Sequence, residues 1–389
     1  MKCYAAYAKD IDVRNNGSSG GVYPLLSEQT LKREGIVYAS VYNDDFSVSF
    51  DRVDNTLGLK KTFTSKYMQS NSLHIFEKVE TDLIHDRQVL FCGTPCQVSG
   101  LINYLTVRRI DTQNLLTIDF ICHGVPSRVL FDKFLKSYTP KRIISLNMRN
   151  KENGWNWGKY SWEFRFEDGS RKLVKQSEVP YMKAFLSDSF LRPSCYRCMS
   201  KRKTKADITI GDFWGITYTG IRLDDRYGVS GVIINSSKGE REFQEASDLL
   251  DFWEVDYSDI IKYNPSLEQS TLKPLKRITA YKKLNNAKDV NKFLCSMSND
   301  SFLDKAGRKV YQALPFRKTN LKIINKNEKY CQLINDKKED CCGCLACLSV
   351  CPKSAITTRC DNEGFCYPVI DTRYCVNCNL CSKVCPQVN

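Results

Sequence analysis

The stretch Cys341-Cys342-Gly343-Cys344-Leu345-Ala346-Cys347-Leu348-Ser349-Val350-Cys351-Pro352 governs the reading of this chain. Cys375-Val376-Asn377-Cys378-Asn379-Leu380-Cys381-Ser382-Lys383-Val384-Cys385-Pro386 repeats its pattern. Both follow C-x2-C-x2-C-x3-C-P. Thiols at this spacing wrap a tight loop, so three of them converge on one metal centre. The chain holds 19 cysteines and 3 histidines. Zinc sites more often mix the two residue types, and a Cys-rich, His-poor inventory points to thiolate-bound iron–sulfur clusters. Two structural zinc sites are the competing reading. Eight cysteines at these spacings, each set closed by Pro, argue against it. Cys342 sits beside a ligand but out of register. Cys360 and Cys366 fit neither motif and are read as small buried hydrophobes.

The paired motifs resemble the bacterial two-cluster ferredoxins. The resemblance implies that the fourth cysteine of each run passes its own loop and reaches the other cluster. Cys341, Cys344, Cys347 and Cys385 then hold one 4Fe-4S cluster; Cys375, Cys378, Cys381 and Cys351 hold the other. Residues 331–389 are expected to form a small ferredoxin-like domain in which metal clusters serve as staples. Ala355 to Thr358 and Phe365 to Val369 flank Asp361-Asn362-Glu363-Gly364 as a hairpin.

Outside that region the composition is ordinary. The 389 residues are 42% hydrophobic and 26% charged, enough for two or three packed domains and unlike a disordered chain. No apolar run is long enough to span a bilayer, and Met1 to Asp10 has no signal-peptide core. A cytoplasmic location is expected, where thiols stay reduced and disulfides are disfavoured. Residues 241–330 read as a basic, mostly helical connector. Residues 271–330 carry 15 Lys/Arg against 4 Asp/Glu, most of the chain's net +14. A solvated linker explains this charge, and so does a docking face for an acidic electron carrier such as a ferredoxin or flavodoxin, or for anionic lipid. No nucleic-acid-binding motif accompanies it. Self-association into a homo-oligomer is compatible with the sequence.

Residues 1–240 alternate strand-like and helix-like segments, an α/β (α+β) pattern. Gly35 to Tyr42 and Phe46 to Val53 read as strands around Asn43-Asp44-Asp45. Val89 to Phe91, Leu115 to Ile121 and Ala206 to Ile210 read as buried strands opening into loops rich in Gly, Cys and Asp. Lys159 to Phe166 and Ser170 to Val174 flank Asp168-Gly169 as a hairpin. There is no G-x-G-x-x-G, so a Rossmann dinucleotide site is not indicated. Cys96, Cys122 and the C-x2-C pair Cys195 and Cys198 lie in loops. From spacing alone they fit a four-thiolate site, structural zinc or a redox-active pair.

Six stretches occur in order: Ser18-Ser19-Gly20-Gly21, Ser65 to Ser70, Gly93 to Gln97, Asp119 to Ser127, Arg192 to Cys198, and Ala206 to Gly215. Together they resemble the beta-subunit family of coenzyme F420-reducing hydrogenases and dehydrogenases. The resemblance implies a flavin- and iron–sulfur-containing oxidoreductase that binds FAD, with Cys96, Cys122, Cys195 and Cys198 holding a third 4Fe-4S cluster beside it. In that family the ferredoxin module often precedes the flavin domain, whereas here it follows.

The residues themselves suit such a site in outline. Ser18, Ser19, Gly20 and Gly21 offer N–H groups and hydroxyls to a pyrophosphate, or form a flexible turn. Ser65, Lys66, Tyr67, Gln69 and Ser70 offer a charge, an aromatic face and donors. Gly93, Thr94 and Pro95 would set a tight backbone beside a flavin ring. Asp212 would anchor ribityl or adenosine hydroxyls, or cap a turn. His123 is the candidate catalytic residue, relaying a proton, or a structural histidine. Trp155, Trp157 and Trp214 either stack on a ring or pack a core. The expected function is electron transfer between a ferredoxin-like donor, three 4Fe-4S clusters and FAD, with hydride transfer to or from a small organic substrate such as coenzyme F420. The alternative is an electron-transfer subunit without a substrate pocket, docked on a larger enzyme.

Overall fold

The computed structural model describes residues 2–201, 203–298 and 338–388. An eight-stranded mixed sheet organises the first two of these stretches. Its strands are β1 (Lys2–Ala8), β2 (Ile36–Tyr42), β3 (Val48–Val53), β4 (Val89–Gly93), β5 (Leu115–Phe120), β9 (Ile208–Asp212), β10 (Ser230–Ile234) and β11 (Leu250–Glu254). Their order is β11-β1-β10-β9-β5-β4-β2-β3. β2, β4, β5 and β9 are parallel neighbours; the remaining pairings are antiparallel.

The parallel centre explains the continuous apolar runs of the sequence, because both faces of those strands are covered. Val37, Ala39, Leu90 and Leu116 pack on one face with Leu25 and Leu26 of the helix Val22–Lys32. Ile36, Tyr38, Val89 and Phe91 pack on the other with the helices Ile75–Ile84 and Pro95–Arg108. Parallel strands also bring their carboxyl ends to one edge of the sheet, where α/β folds place ligands. The loops after β4, β5 and β9 therefore open together. The Gly17 to Gly21 loop joins them, pinned where the Ala8 amide donates to the Gly20 carbonyl at 2.7 Å.

A second, antiparallel sheet comprises β6 (Ile143–Asn150), β7 (Ser161–Phe166) and β8 (Arg171–Lys175). Its core includes Trp162, Phe164, Phe131 and Phe134, together with Tyr281, Leu284 and Leu294 from the helices Arg277–Asn285 and Val290–Ser296. The stretch read as a helical connector thus contributes buried side chains to this core, and its strand β11 forms one edge of the large sheet. Residues 299–330, which carry the rest of the basic stretch, and Cys331 lie outside the described residues.

Residues 338–388 form a small module around the hairpin β12 (Ile356–Cys360) and β13 (Cys366–Ile370). Cys360 and Cys366 face each other across this hairpin and are joined as a disulfide. This corrects the expectation of two buried free thiols: Cys360 is exposed, and the register sets the pair opposite one another. The module packs against the first domain. Phe365 and Tyr367 enter the second core, and Cys344, Ala346, Val350 and Val384 pack beside the helix Pro95–Arg108. No helix among the described residues is long and apolar enough to cross a membrane.

Candidate functional site

The repeated motif of the sequence is a repeated local structure. Leu345 and Asn379, each following the second cysteine of its run, have φ of 61° and 58°. Each starts a short helical turn, Ala346–Ser349 and Leu380–Lys383, that carries the third cysteine. Cys341, Cys344 and Cys347 line one cavity together with Cys385 from the second run. Cys351, Cys375 and Cys381 are half-buried, and Cys378 is exposed. The Ala355 amide donates to Cys351 Sγ at 3.3 Å.

The four cysteines of the first domain come from three separated loops. Cys96 lies in the first turn of the helix Pro95–Arg108, where Thr94 forms a capping box with Gln97 and its Oγ1 lies 3.2 Å from Cys96 Sγ. Cys122 follows β5, and its carbonyl accepts from Lys201 Nζ at 2.6 Å. Cys195 sits in the 3-10 turn Pro193–Arg197, with Cys198 just beyond it. All four line a single cavity of about 1050 Å³, open solvent at its mouth included, and Cys342 lines it too. Burial pushes the Cys122 thiol up to about 11 and Cys195 up to about 12. Such thiols keep their protons until a metal displaces them.

Among the described residues, no group of three or more Cys, His, Asp or Glu is drawn together around a single ion. A zinc ion gathers its ligands into one shell. A cubane seats each thiolate on its own iron, and the four thiols lining this cavity are a donor set of that kind.

A second cleft of about 1350 Å³, open solvent included, adjoins the first. It is lined by Ser18, Ser19, Gly21, Ser65, Lys66, Tyr67 and Asp212, and shares Ser70, Thr94, Cys122, His123 and Gly124 with the thiol cavity. The remaining candidates fall elsewhere. Gln69 and Pro95 line the thiol cavity. Gly20 is pressed against strand backbone, where an added Cβ would meet the Ala6 carbonyl oxygen at 2.3 Å. Gly93 ends β4 beneath the Phe50 and Phe91 rings. Trp155 and Trp214 stack on each other at 5.5 Å, with Trp157 edge-on.

His123 and Asp212 are held by partners distant in sequence, and Lys66 by carbonyls of its own loop. His123 Nε2 lies 2.6 Å from Asp188 Oδ1, and Asp188 is buried at φ 63°. Lys66 Nζ donates to the carbonyls of Thr62, Phe63 and Thr64 at 3.2 to 3.3 Å, and burial brings it down to about 7. The buried Arg149 donates to Asp212 Oδ1 and to the Ser18 carbonyl, each at 2.6 Å. Burial raises the Asp212 carboxyl, and Arg149 opposes the rise. Asp188, Arg149 and Arg192 are functional candidates that sequence reasoning missed; each acts through partners at least 60 residues away or in another module.

Arg192 joins the two domains. Its Nε donates to the Cys341 carbonyl at 2.7 Å, Nη1 to Gln69 Oε1 at 2.9 Å, and Nη2 to the Cys366 carbonyl at 2.8 Å. The guanidinium also stands over the Tyr367 ring at 4.5 Å. Ser72 Oγ donates to the Cys344 carbonyl at 2.7 Å, and Asn103 Nδ2 to the Val384 carbonyl at 3.1 Å.

Residues 86–259 match the family model for the C terminus of the beta subunit of coenzyme F420 hydrogenase/dehydrogenase. The matched segment contains Cys96, Cys122, Cys195, Cys198, His123 and Asp212. A separate likeness, 41% identical over 49 residues, is to an uncharacterized ferredoxin from Methanocaldococcus jannaschii; it covers 13% of this chain, and the chain spans 62% of that relative's length. Among solved structures, a chain of the F420-reducing NiFe hydrogenase complex from Methanosarcina barkeri aligns with a TM-score of 0.46 at 14% identity, covering 80% of this chain and 91% of that one.

Proposed function

We propose that the chain is an iron–sulfur flavoprotein oxidoreductase. In this reading two 4Fe-4S clusters sit in the C-terminal module, a third is held by Cys96, Cys122, Cys195 and Cys198, and FAD lies in the adjoining cleft. The observation that carries it is the shared wall: Ser70, Thr94 and the Cys122 to Gly124 loop line both the thiol cavity and the cleft. Iron–sulfur clusters pass electrons singly and a flavin exchanges them in pairs, so the combination converts one-electron carriers to two-electron chemistry.

The chain's own residues divide this work. The exposed Cys378 loop, flanked by the exposed Tyr374 and Val376, is the face where a one-electron donor of the ferredoxin class docks. Lys201 sets positive charge beside the inner thiols and Arg192 beside Cys341 of the C-terminal module, where they offset the charge of thiolate ligation. Ser18, Ser19 and Gly21, which line the cleft just before the helix Val22–Lys32, offer N–H groups and hydroxyls to the cofactor's pyrophosphate. Arg149 fixes Asp212 toward its hydroxyls. Asp188 holds the His123 ring, which gives or takes the proton that accompanies hydride transfer to or from a small organic acceptor, coenzyme F420 or a relative of it.

Stopped-flow reduction of the reconstituted protein by a reduced ferredoxin tests this. Flavin absorbance is expected to bleach in the wild type, and to stop bleaching when Cys122 and Cys195 are both changed to Ser. Flavin that bleaches equally fast in that variant would refute the path.

A further inference from the structure

Two buried cations of the second sheet stand behind the Ser18 to Gly21 loop. Arg149 lies at the end of β6 and Lys151 just past it, 1% and 8% exposed. Lys151 Nζ donates to the Arg14 carbonyl at 2.7 Å, to the Tyr227 carbonyl at 2.9 Å and to the Ser19 carbonyl. An ammonium has three protons, and these three carbonyls take them all. They come from three segments: the helix Ile11–Asn16, the loop itself and the stretch before β10. None of the three partners is a carboxylate. Arg149 Nη2 holds the neighbouring Ser18 carbonyl, and the Ala8 amide holds that of Gly20. Three successive carbonyls of the loop are thus each met by a donor. In a trans peptide the N–H points opposite to the C=O before it. The Ser19 and Gly21 amides therefore point away from these donors, and both residues line the cleft. The Gly20 amide donates to Ser230 Oγ at 3.0 Å.

We infer that Lys151 is a positioning residue for the cofactor: with Arg149 it holds the loop's carbonyls inward and so sets the Ser19 and Gly21 amides on the pyrophosphate of FAD. This rests on the reading that the cleft holds FAD. Lys151 does not line the cleft, so it acts through the Ser19 peptide. Burying an ammonium costs free energy unless its protons find acceptors, and here the acceptors are the backbone that shapes the site. The fit is close. Gly228 has φ of 102°, and a Cβ there would meet the Ser19 carbonyl oxygen at 2.8 Å from the other side. Without Lys151 the Ser19–Gly20 peptide is free to turn, which unseats the Gly20 amide from Ser230 and loosens the amides on either side. A loop that must be ordered on binding gives a weaker complex than one already in place.

The test is calorimetric titration of the flavin-free full chain, kept anaerobic, with FAD and with riboflavin, wild type against Lys151→Met. The variant keeps the aliphatic stem and removes all three donors. FAD is expected to bind about tenfold or more weakly, and riboflavin, which has no pyrophosphate, to change by less than about twofold. Hydrogen exchange of the flavin-free variant is expected to quicken at residues 17–24. Gly228→Ala presses on the same carbonyl without touching Lys151, and replaces the Met variant if that one fails to fold. Unchanged FAD affinity overturns the inference. Equal losses for FAD and riboflavin overturn it too, since Lys151 would then support the whole cleft. If the wild type binds FAD but not riboflavin, exchange at residues 17–24 decides, and wild-type protection there overturns the inference. A wild type that binds neither ligand would instead overturn the flavin reading beneath it.

Discussion

Replacing Arg192 by Ala is expected to undock the C-terminal module from the first domain. Arg192 is 1% exposed and donates to two backbone carbonyls of the module, Cys341 and Cys366, as well as to Gln69. Truncation leaves two partly buried acceptors unpaired, at about 1–3 kcal/mol each. The contact over Tyr367 adds about 0.5–2 kcal/mol. The loss is therefore about 2.5–8 kcal/mol, roughly two to six powers of ten in the docked population. Arg192→Lys keeps the charge but not the fork, and a single ammonium cannot reach both carbonyls in the same geometry; it is expected to fall between. Hydrogen-exchange mass spectrometry reads this directly. Peptides spanning 341–344, 366–370 and 69–72 are expected to lose protection together in Arg192→Ala, while β4 and β5 keep theirs. Wild-type protection at 341–344 in that variant would refute the docking role. Loss of protection throughout the chain would show that Arg192 supports the first domain rather than the junction.

Other perturbations address the site piece by piece. At Gly124, where φ is 150°, a Cβ would meet Leu191 Cδ1 at 2.9 Å and Cys195 Cβ at 3.3 Å. Gly124→Ala is expected to cost the protein about four iron atoms from the inner set while the C-terminal eight remain, by iron assay and EPR. Lys66 is brought down by burial to about 7 from its ordinary 10.5, so between those values the unfolded chain binds more protons than the folded one. Stability of the flavin-free protein should rise with pH across that window and lie flat for this residue below it. Denaturant titrations at pH 7 and pH 9 should show a smaller difference for Lys66→Met than for the wild type. Asp188→Asn should slow two-electron turnover by about 10²-fold without slowing reduction of the C-terminal clusters, measured by stopped flow.

Much of the architecture was legible before any coordinates, for physical reasons. β4, β5 and β9 read as short apolar runs because they are covered on both faces, and β7–β8 and β12–β13 were marked by polar turns between them. β1 was not legible: Lys2-Cys3-Tyr4-Ala5-Ala6-Tyr7-Ala8 lacks β-branched residues, and its strand state comes from pairing with β10 and β11 far along the chain. β11 itself lies in a stretch whose charge suggested a solvated linker. The C-terminal cysteine spacing was plain because those thiols are close in sequence. The junction was hidden, since Gln69 meets Cys342 across 273 positions and Asn103 meets Val384 across 281. The same distance concealed Cys342, which looked like a residue out of register and lines the inner cavity with Cys96. The Cys360–Cys366 pair was missed because compartment, rather than hairpin register, decided that reading.

The central claim is that this chain holds a third cluster and a flavin side by side in the first domain. Iron, acid-labile sulfide and flavin counted on the same anaerobic preparation of the full chain test it most directly. About twelve iron atoms, about twelve sulfides and one FAD per chain are expected. About eight iron atoms with no flavin would contradict it, leaving the first domain without the redox centres assigned to its two adjoining cavities.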